Sequence, residues 1–250
     1  MKLFFETALL ESAGGKRENL GKESGEKKSL VFDSGPIISL VMDNLAWTLR
    51  SLSKKFNGDF YITNEVKREV VDKPLTSKRF KFEAMYIKEF LDNETLKLAD
   101  EDLTVETNRL LRLSNSIFKI RTDYLRLFQK AEIESLALVK YLNAEALVMD
   151  ERTLRMLIEE PENLKELLKK KLQKKVTIDS SNLKQFQKII GDVNVIRSSE
   201  LLVVAFELGL LDKYADDNKR ELLDGILWGV KLRGCSISSE EIYKIIKFEG

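Results

Sequence analysis

The feature that most constrains the fold of this chain is a strand–turn–helix pattern near its start. A short apolar run, residues 30–32, ends on Asp33, passes through the turn sequence of residues 34–36, and continues as a second apolar run. This pattern predicts a buried strand, a tight turn and a helix. Ligand sites in open α/β sheets lie outside the carboxyl ends of the strands, so Asp33 stands where such proteins carry their chemistry. Since an acid after a first strand is common, its meaning depends on whether other carboxylates meet it.

Strands and helices alternate along the rest of the chain, which is typical of a parallel sheet with crossover helices. The predicted strands are residues 29–32, 60–62, 95–98, 146–149, 176–179 and 193–196. The predicted helices are residues 37–55, 64–73, 78–92, 103–119, 123–143, 199–208, 217–232 and 239–247. We therefore predict an α/β protein with a central parallel sheet and an additional helical C-terminal part.

Composition narrows the chemistry that is available to the chain. It contains no His and a single cysteine, Cys235. These counts exclude His-based nucleophilic catalysis, His-ligated zinc and intramolecular disulfides. What remains is chemistry by carboxylates, hydroxyls, Lys or Arg, for which Mg²⁺ and Mn²⁺ are the natural cofactors. With 42 basic and 41 acidic side chains, any affinity for nucleic acid must come from local basic patches.

Nothing in the sequence predicts a membrane protein. No apolar run approaches the ~18 residues that a membrane-spanning helix needs. The first ten residues contain one lysine and an apolar stretch that Glu6 interrupts, which makes a poor signal peptide. We therefore expect a cytoplasmic protein without a membrane partner.

Acidic residues recur at the ends of predicted strands and near the starts of predicted helices. Asp33 follows the first strand, and Glu69 lies in the helix after the second. Glu132 lies near the start of a helix, whereas Asp150 and Glu151 follow a later strand. Acids brought to one edge of a sheet would repel one another unless a cation neutralised them, which predicts a divalent-metal site. Chance placement and the helix dipole are the competing explanations. We expect Glu134 to be a solvated partner of Lys130.

Four segments of the chain resemble successive motifs of PIN-domain proteins. They are LVFDSGPII at residues 30–38, ITNEVKREV at 62–70, AEIESLAL at 131–138 and LVMDER at 147–152. Residues 198–212 and 233–238 are similar to the closing segments of one prokaryotic branch of that family. The resemblance covers most of residues 29–247, with the motifs in the right order.

The resemblance implies a PIN-like three-layer α/β/α fold and an endoribonuclease in which carboxylate-bound Mg²⁺ or Mn²⁺ activates a water. By position, Asp33 would be the first metal ligand, Glu69 the second acid and Glu132 the third. Asp150 and Glu151 both remain candidates for the last metal-ligating acid, because the local pattern permits either register. The enzyme would cleave RNA phosphodiesters, either in RNA processing or as a toxin-like ribonuclease.

The same resemblance divides the chain into four parts. Residues 1–28 are rich in Gly, Ser and charge towards their end, and we expect them to form a flexible arm and linker. Residues 29–158 would be the PIN-like catalytic core, and residues 159–192 a charged insertion relative to compact members. Residues 193–250 would add the C-terminal strand and helices that complete the same domain.

Two departures from the family pattern favour an alternative. Lys130 stands before Ala131 where a small residue often precedes the third acid, and Met149 replaces a Thr or Ser that is common in the last strand. These departures favour a catalytically silent PIN-like scaffold that binds RNA or protein. A small-molecule phosphohydrolase on a similar sheet is a third hypothesis.

Basic residues near the proposed site are the candidates for binding RNA. Lys78 and Arg79 are interleaved with aromatic residues, and Arg152 and Arg155 follow the last acids. The aromatic neighbours, Phe80 and Phe82, are expected in the core. The expected partners are RNA, single-stranded or structured, and either a protein such as an antitoxin or a second copy of the chain in a homodimer.

Overall fold

The computed structural model describes residues 27–215 and 218–249, so most of the predicted arm lies outside the described residues. The strands are β1 (Lys28–Phe32), β2 (Gly58–Ile62), β3 (Lys97–Leu98), β4 (Phe118–Ile120), β5 (Asp123–Tyr124), β6 (Ala146–Val148), β7 (Thr177–Ile178) and β8 (Val195–Ile196). The helices before β6 are α1 (Ser34–Met42), α2 (Thr48–Phe56), α3 (Asn64–Lys67), α4 (Lys73–Leu75), α5 (Lys81–Asp92), α6 (Thr104–Ser114) and α7 (Lys130–Leu142). After β6 come α8 (Arg152–Glu159), α9 (Pro161–Leu172), α10 (Ser180–Ile190), α11 (Ser198–Glu207), α12 (Lys219–Leu232) and α13 (Ser239–Glu249).

The centre of the molecule is a five-stranded sheet in the order β3-β2-β1-β6-β8, and every pairing in it is parallel. Successive strands run outward from β1 in one direction as far as β3, and then in the other direction through β6 to β8. The order therefore reverses between β1 and β6, which is where open α/β sheets form a ligand crevice at their carboxyl edge. The backbone N–H of Asp33 extends this pairing by donating to the carbonyl of Val148 at 2.9 Å.

Helices cover both faces of the sheet, and the alternation of side chains along its strands shows this. Leu30 and Phe32 of β1 belong to one hydrophobic core, whereas Val31 belongs to another. The first core is shared with α1, α2, α11, α12 and α13, and the second with α6 to α10. Because strand side chains point alternately to opposite faces, the two cores lie on opposite sides of the sheet. The α/β class with a central parallel sheet flanked by helices, as predicted, is confirmed.

The prediction of two helices at residues 103–119 and 123–143 was wrong in its middle part. The helices end at Ser114 and begin again at Lys130, and β4 and β5 form an antiparallel hairpin between them. Arg121 takes a left-handed conformation, φ 54°, at the tip of this hairpin. β4 also pairs with β7, which makes a second, three-stranded sheet. A partner strand distant in sequence therefore overrides the local helical periodicity.

Phe80 and Phe82 were predicted in the core, and the structure contradicts this. Their exposed fractions are 43% and 79%. Helix α5 buries Ala84, Ile87 and Phe90, which recur at intervals of three along one face. Phe82 lies off that face, and Phe80 takes a left-handed conformation, φ 62°, just before the helix. Both rings are consequently available at the surface.

The predicted helix at residues 37–55 is two helices, because the chain turns at Asn44, φ 55°. The predicted helix at residues 64–73 is interrupted by a π-helical turn, Arg68–Asp72, between α3 and α4. Within the described ranges, no helix is long and apolar enough to cross a bilayer.

Candidate active site

A pocket of about 260 Å³ lies at the carboxyl edge of the sheet, at the reversal between β1 and β6. We call it the acidic pocket, and it is lined by Asp33, Ser34, Gly35, Glu69, Gln129, Ala131, Glu132 and Glu151. Four of the five acids predicted for the site therefore lie around one pocket, although they are far apart in the sequence. The fifth, Asp150, is not among the lining residues.

Asp33 is the deepest of these acids. It follows β1, precedes the first turn of α1 and is only 3% exposed. Its Oδ1 atom is buried and has no hydrogen-bond partner among the described residues. Burial, with a smaller contribution from Glu69 and Asp150, raises the pKa of Asp33 to about 6, against the backbone N–H groups of Ser34 and Gly35. A buried carboxylate oxygen without a partner is costly, so this group is prepared for a ligand that the chain does not supply.

Glu69 enters the pocket from the π-helical turn that follows α3. The start of α3 is fixed by Thr63, whose hydroxyl accepts a hydrogen bond from the backbone N–H of Val66 at 3.2 Å. Such turns insert one residue into a helix and often occur at functional sites. The turn thus carries the acid, and Val70 and Val71 in the same turn anchor it in the core.

Glu132 lies in the first turn of α7, where its Oε2 atom accepts a hydrogen bond from the backbone N–H of Gln129 at 3.4 Å. Burial raises the pKa of Glu132 to about 8, and the charges of Glu151, Asp33 and Glu69 add to the effect. The mutual repulsion among these acids is the expected signature of carboxylates gathered without a cation. These causes favour the protonated form of the Glu132 carboxyl while no cation is bound.

Asp150 and Glu151 have different surroundings. Asp150 is 3% exposed, and its carboxylate accepts hydrogen bonds from the backbone N–H and the hydroxyl of Ser198, both at 2.8 Å, and from the Ser39 hydroxyl at 3.0 Å. Glu151 lines the acidic pocket and caps α8 by accepting from the backbone N–H of Leu154 at 2.8 Å. Of the two registers that the sequence left open, Glu151 is the one that faces the pocket.

Glu134 is not a solvated partner of Lys130, as had been expected. It is 9% exposed, and its Oε2 atom accepts a hydrogen bond from the backbone N–H of Glu65 at 2.9 Å. Lys130 pairs instead with the carboxylate of Glu65, at 2.5 Å. The error arose because sequence spacing along one helix gives no information about a neighbouring helix.

The basic residues predicted to bind RNA lie outside the pocket. Arg152 is exposed, and Arg155 is half-buried with its guanidinium 3.5 Å from the carbonyl of Ser236. Lys78 and Arg79 are exposed, and the Arg79 guanidinium lies 4.6 Å from the centre of the Phe80 ring. In the described part of the chain, none of these four side chains lines the acidic pocket.

Sequence reasoning missed Gln129, which lines the pocket together with the four acids. A signal was present, because Gln129 stands three residues before Glu132, the spacing at which a helix cap and a glutamate satisfy each other's backbone N–H groups. This pattern predicts the start of α7 at Lys130 and places the cap on the same edge as the acid.

The donor set of the pocket suits a hard cation. Its carboxylate oxygens are the ligands that Mg²⁺ and Mn²⁺ prefer, and Asp33 Oδ1 is buried without a partner. Among the described residues, however, no three acidic, His or Cys side chains already stand close enough to ligate one ion. An ion would therefore have to draw the side chains together. It would act against the mutual repulsion of the acids, which adds to burial in raising the pKa values of Asp33 and Glu132.

Comparisons of the chain with protein-family models, with curated proteins and with solved structures find no match in any of the three. The molecule is thus defined by its own features, an α/β fold with a central parallel sheet and an acidic pocket at the carboxyl edge. Any functional conclusion has to be inferred from these features.

Proposed function

We propose that this chain is a PIN-like endoribonuclease that depends on Mg²⁺ or Mn²⁺. The observation that carries the proposal is the acidic pocket, which is lined by four acids, one of which, Asp33, has a buried carboxylate oxygen without a partner among the described residues. Its position at the reversal of strand order, where α/β sheets bind ligands, supports the proposal independently. The motif order along the chain is the reason for choosing the PIN type.

In this proposal, Asp33, Glu132 and Glu151 hold the ion, and Glu69 completes the negative charge of the pocket. The ion, when bound, supplies a Lewis acid and an activated water for phosphodiester hydrolysis. Asp33 is fixed by the end of β1 and Glu151 by its cap on α8, so two of the ligands sit on rigid elements. Ion binding must displace the proton from Glu132, whose pKa is raised to about 8.

RNA is favoured over a small phosphate ester by the surface outside the pocket. Phe80 and Phe82 are exposed, and Lys78, Arg79 and Lys81 lie among them. Exposed aromatic rings with interleaved basic residues stack and neutralise single strands. A free phosphate ester would require no such extended surface.

A catalytically silent scaffold that binds RNA is the second candidate. It is favoured by the finding that no ligand set is already assembled among the described acids. In that case the acidic pocket would be a remnant of an ion site.

Cleavage of a fluorescent single-stranded RNA with Mn²⁺, by the wild type and by Asp33→Asn, separates the two candidates. A matched control is Asp179→Asn, because Asp179 caps α10 by accepting from the backbone N–H of Asn182 at 3.2 Å and Asn caps helices equally well. We expect at least roughly a hundredfold loss of cleavage in Asp33→Asn and none in the control, since one ion ligand supplies several kcal/mol of transition-state stabilisation. Equal cleavage by the wild type and Asp33→Asn would overturn the site assignment. Wild type that neither cleaves RNA nor binds Mn²⁺ would favour the scaffold, and turnover of simple phosphate esters instead of RNA would favour a phosphohydrolase.

A further inference from the structure

Two basic residues next in sequence to residues of the acidic pocket, Lys130 and Arg68, both contact the carboxylate of Glu65. We call these two residues the rim pair. Lys130 Nζ lies 2.5 Å from Oε1 of Glu65, and Arg68 Nε lies 2.7 Å from Oε2 of the same residue. A second guanidinium nitrogen of Arg68 also contacts Oε2. One acid thus serves two bases, and the group of three carries a net charge of +1.

The two bases are next in sequence to residues that line the pocket. Lys130 stands between Gln129 and Ala131, and Arg68 directly precedes Glu69; these three neighbours all line the acidic pocket. Lys130 belongs to α7 and Arg68 to the π-helical turn, so their approach to Glu65 bridges the two elements that contribute Glu132 and Glu69.

The carboxylate that holds the pair is itself anchored. The Glu65 side chain is only 13% exposed, whereas those of Lys130 and Arg68 are 43% and 50% exposed. The backbone N–H of Glu65 donates to the buried carboxylate of Glu134 on α7 at 2.9 Å. Hydrogen bonds from Lys130 and Arg68 lower the pKa of Glu65, which keeps it charged. The largely buried carboxylate of Glu65 therefore orients both bases, whose side chains remain partly exposed to solvent.

The pocket has an electrostatic need for such a pair. Of the residues that line it in the described part of the chain, four are acidic and none is basic. A phosphodiester that approached these acids would be repelled except where an ion or a nearby base compensates. A lysine has three donors and an arginine five, so each retains donors after its contact with Glu65.

We propose that Lys130 and Arg68, oriented by Glu65, bind a phosphate of the RNA backbone next to the phosphate that is cleaved. This inference rests on the proposed ribonuclease function and assigns the backbone contact to residues that the sequence did not suggest. A simple surface ion pair would contribute about 0–1 kcal/mol to stability and would need one base, not two. Lys130 then has a role as a phosphate contact rather than being a sign of a silent site.

The test measures binding of a fluorescein-labelled single-stranded RNA by anisotropy, over a series of salt concentrations and with EDTA present so that no cleavage occurs. We compare the wild type with Lys130→Ala, Arg68→Ala and the conservative Lys130→Arg. The matched control is Lys88→Ala, because Lys88 pairs with Asp92 on α5 at 2.9 Å and lines a different pocket. Lys130→Ala, Arg68→Ala and Lys88→Ala each lose one exposed base, so their change in net charge is the same.

Each lost phosphate contact lowers the slope of log affinity against log salt by about 0.7 for a single strand. We expect that reduction for Lys130→Ala and for Arg68→Ala, no change for Lys88→Ala, and recovery in Lys130→Arg. Equal slopes in the wild type and both rim variants would overturn this inference while leaving Mn²⁺-dependent cleavage by the wild type intact. Equal reductions in the rim variants and in Lys88→Ala would overturn it as well, because only the overall charge would then matter. Wild type that neither binds nor cleaves RNA would overturn the proposed function and this inference together.

Discussion

At the scale of single residues, the acidic pocket is assembled from carboxyl groups whose negative charges oppose their proximity. Burial and neighbouring acids raise the pKa of Asp33 to about 6 and that of Glu132 to about 8. A carboxyl that holds its proton more tightly when the chain is folded favours the folded state at low pH. The pocket therefore costs stability at neutral pH, as is typical of sites that are built for a ligand.

Glu132→Gln should make the ion-free protein less sensitive to pH. The folded-state pKa of Glu132 is raised from 4.5 to about 8, so its destabilising effect is absent below pH ~4.5, grows between pH ~4.5 and ~8, and is complete above pH ~8. In EDTA, we expect the variant to exceed the wild type in free energy of unfolding at pH 8.5 by about 3–5 kcal/mol, and to match it near pH 4.5. Urea unfolding at several pH values measures this, with Glu106→Gln on exposed α6 surface as the control. A variant that is less stable at pH 8.5 than the wild type would contradict the assigned electrostatics.

Substitutions at Asp150 and at Glu151 should have different effects, the first on the free energy of unfolding and the second on Mn²⁺ affinity. Asp150→Ala leaves the Ser198 and Ser39 donors without an acceptor, and we expect a loss of about 2–4 kcal/mol in the free energy of unfolding. Glu151→Gln retains an acceptor for the cap on α8, so its stability should stay within about 0.5 kcal/mol while Mn²⁺ affinity falls. Urea denaturation and calorimetric titration of Mn²⁺ are the two measurements. If Glu151→Gln bound Mn²⁺ as the wild type does, Glu151 would not be an ion ligand.

At the scale of elements, the acid on α7 depends on how the segment before that helix is held. Asn115, just after α6, accepts hydrogen bonds from the backbone N–H groups of Leu127 and Phe128 at 2.7 and 3.0 Å. Its amide also donates to the carbonyl of Phe128 at 3.1 Å. A single side chain therefore fixes the approach to Gln129 and, through it, the first turn that carries Glu132.

Asn115→Ala should loosen this segment. The loss of an acceptor for two backbone N–H groups is expected to lower the free energy of unfolding by about 1–3 kcal/mol. Amide hydrogen exchange should accelerate at Leu127 and Phe128 more than in the core of α7. Asn108→Ala, an exposed substitution of the same kind on α6, is the control and should change the stability by less than about 0.5 kcal/mol. Unchanged exchange at both amides would show that Asn115 does not hold the segment.

The sequence predicted correctly those strands and helices whose conformation depends on local residues alone. The strand ending on Asp33 and the buried strand ending at Val148 were identifiable because each is a continuous apolar run with an acid after it. The β4–β5 hairpin was not, since its pairing with β7 joins residues that are distant along the chain. Likewise, the choice between Asp150 and Glu151 depends on Ser198, 48 residues away from Asp150, a contact that no local pattern encodes.

At the scale of the whole molecule, one hydrophobic core joins the first strand to the last helices. Phe32 and Phe60 of the sheet share this core with Leu227 of α12 and Ile242 of α13, and all four are at most 1% exposed. The segment from α9 to α10 lies on the opposite face, where Leu164 and Phe186 join the second core. Each layer therefore draws on residues from distant parts of the chain.

Removal of residues 219–250 should prevent stable folding. Leu223, Leu227, Val230 and Ile242 are all fully buried, and burial of each contributes about 1.5–3 kcal/mol, which together rivals the whole stability of a typical domain. We expect the shortened chain to aggregate or to lose cooperative thermal unfolding by circular dichroism. A chain beginning at Lys27 is the comparison, since it loses a similar number of residues and keeps every described residue of the two cores. A cooperative transition in the shortened chain would show that the C-terminal helices are dispensable.

The hydrogen bonds between Asp150 and Ser198 join two parts of the chain that are synthesised at different times. Asp33 and Glu69 are among the first residues of the folded body to leave the ribosome. In contrast, β6, which ends two residues before Asp150, pairs on its other side with β8, and Asp150 itself accepts a hydrogen bond from Ser198 at the start of α11. The carboxyl edge is consequently unfinished until the later part of the chain has emerged. In the ribonuclease proposed above, the acids would therefore reach their working arrangement only after most of the chain has been synthesised, and the nascent chain would not cleave its own messenger.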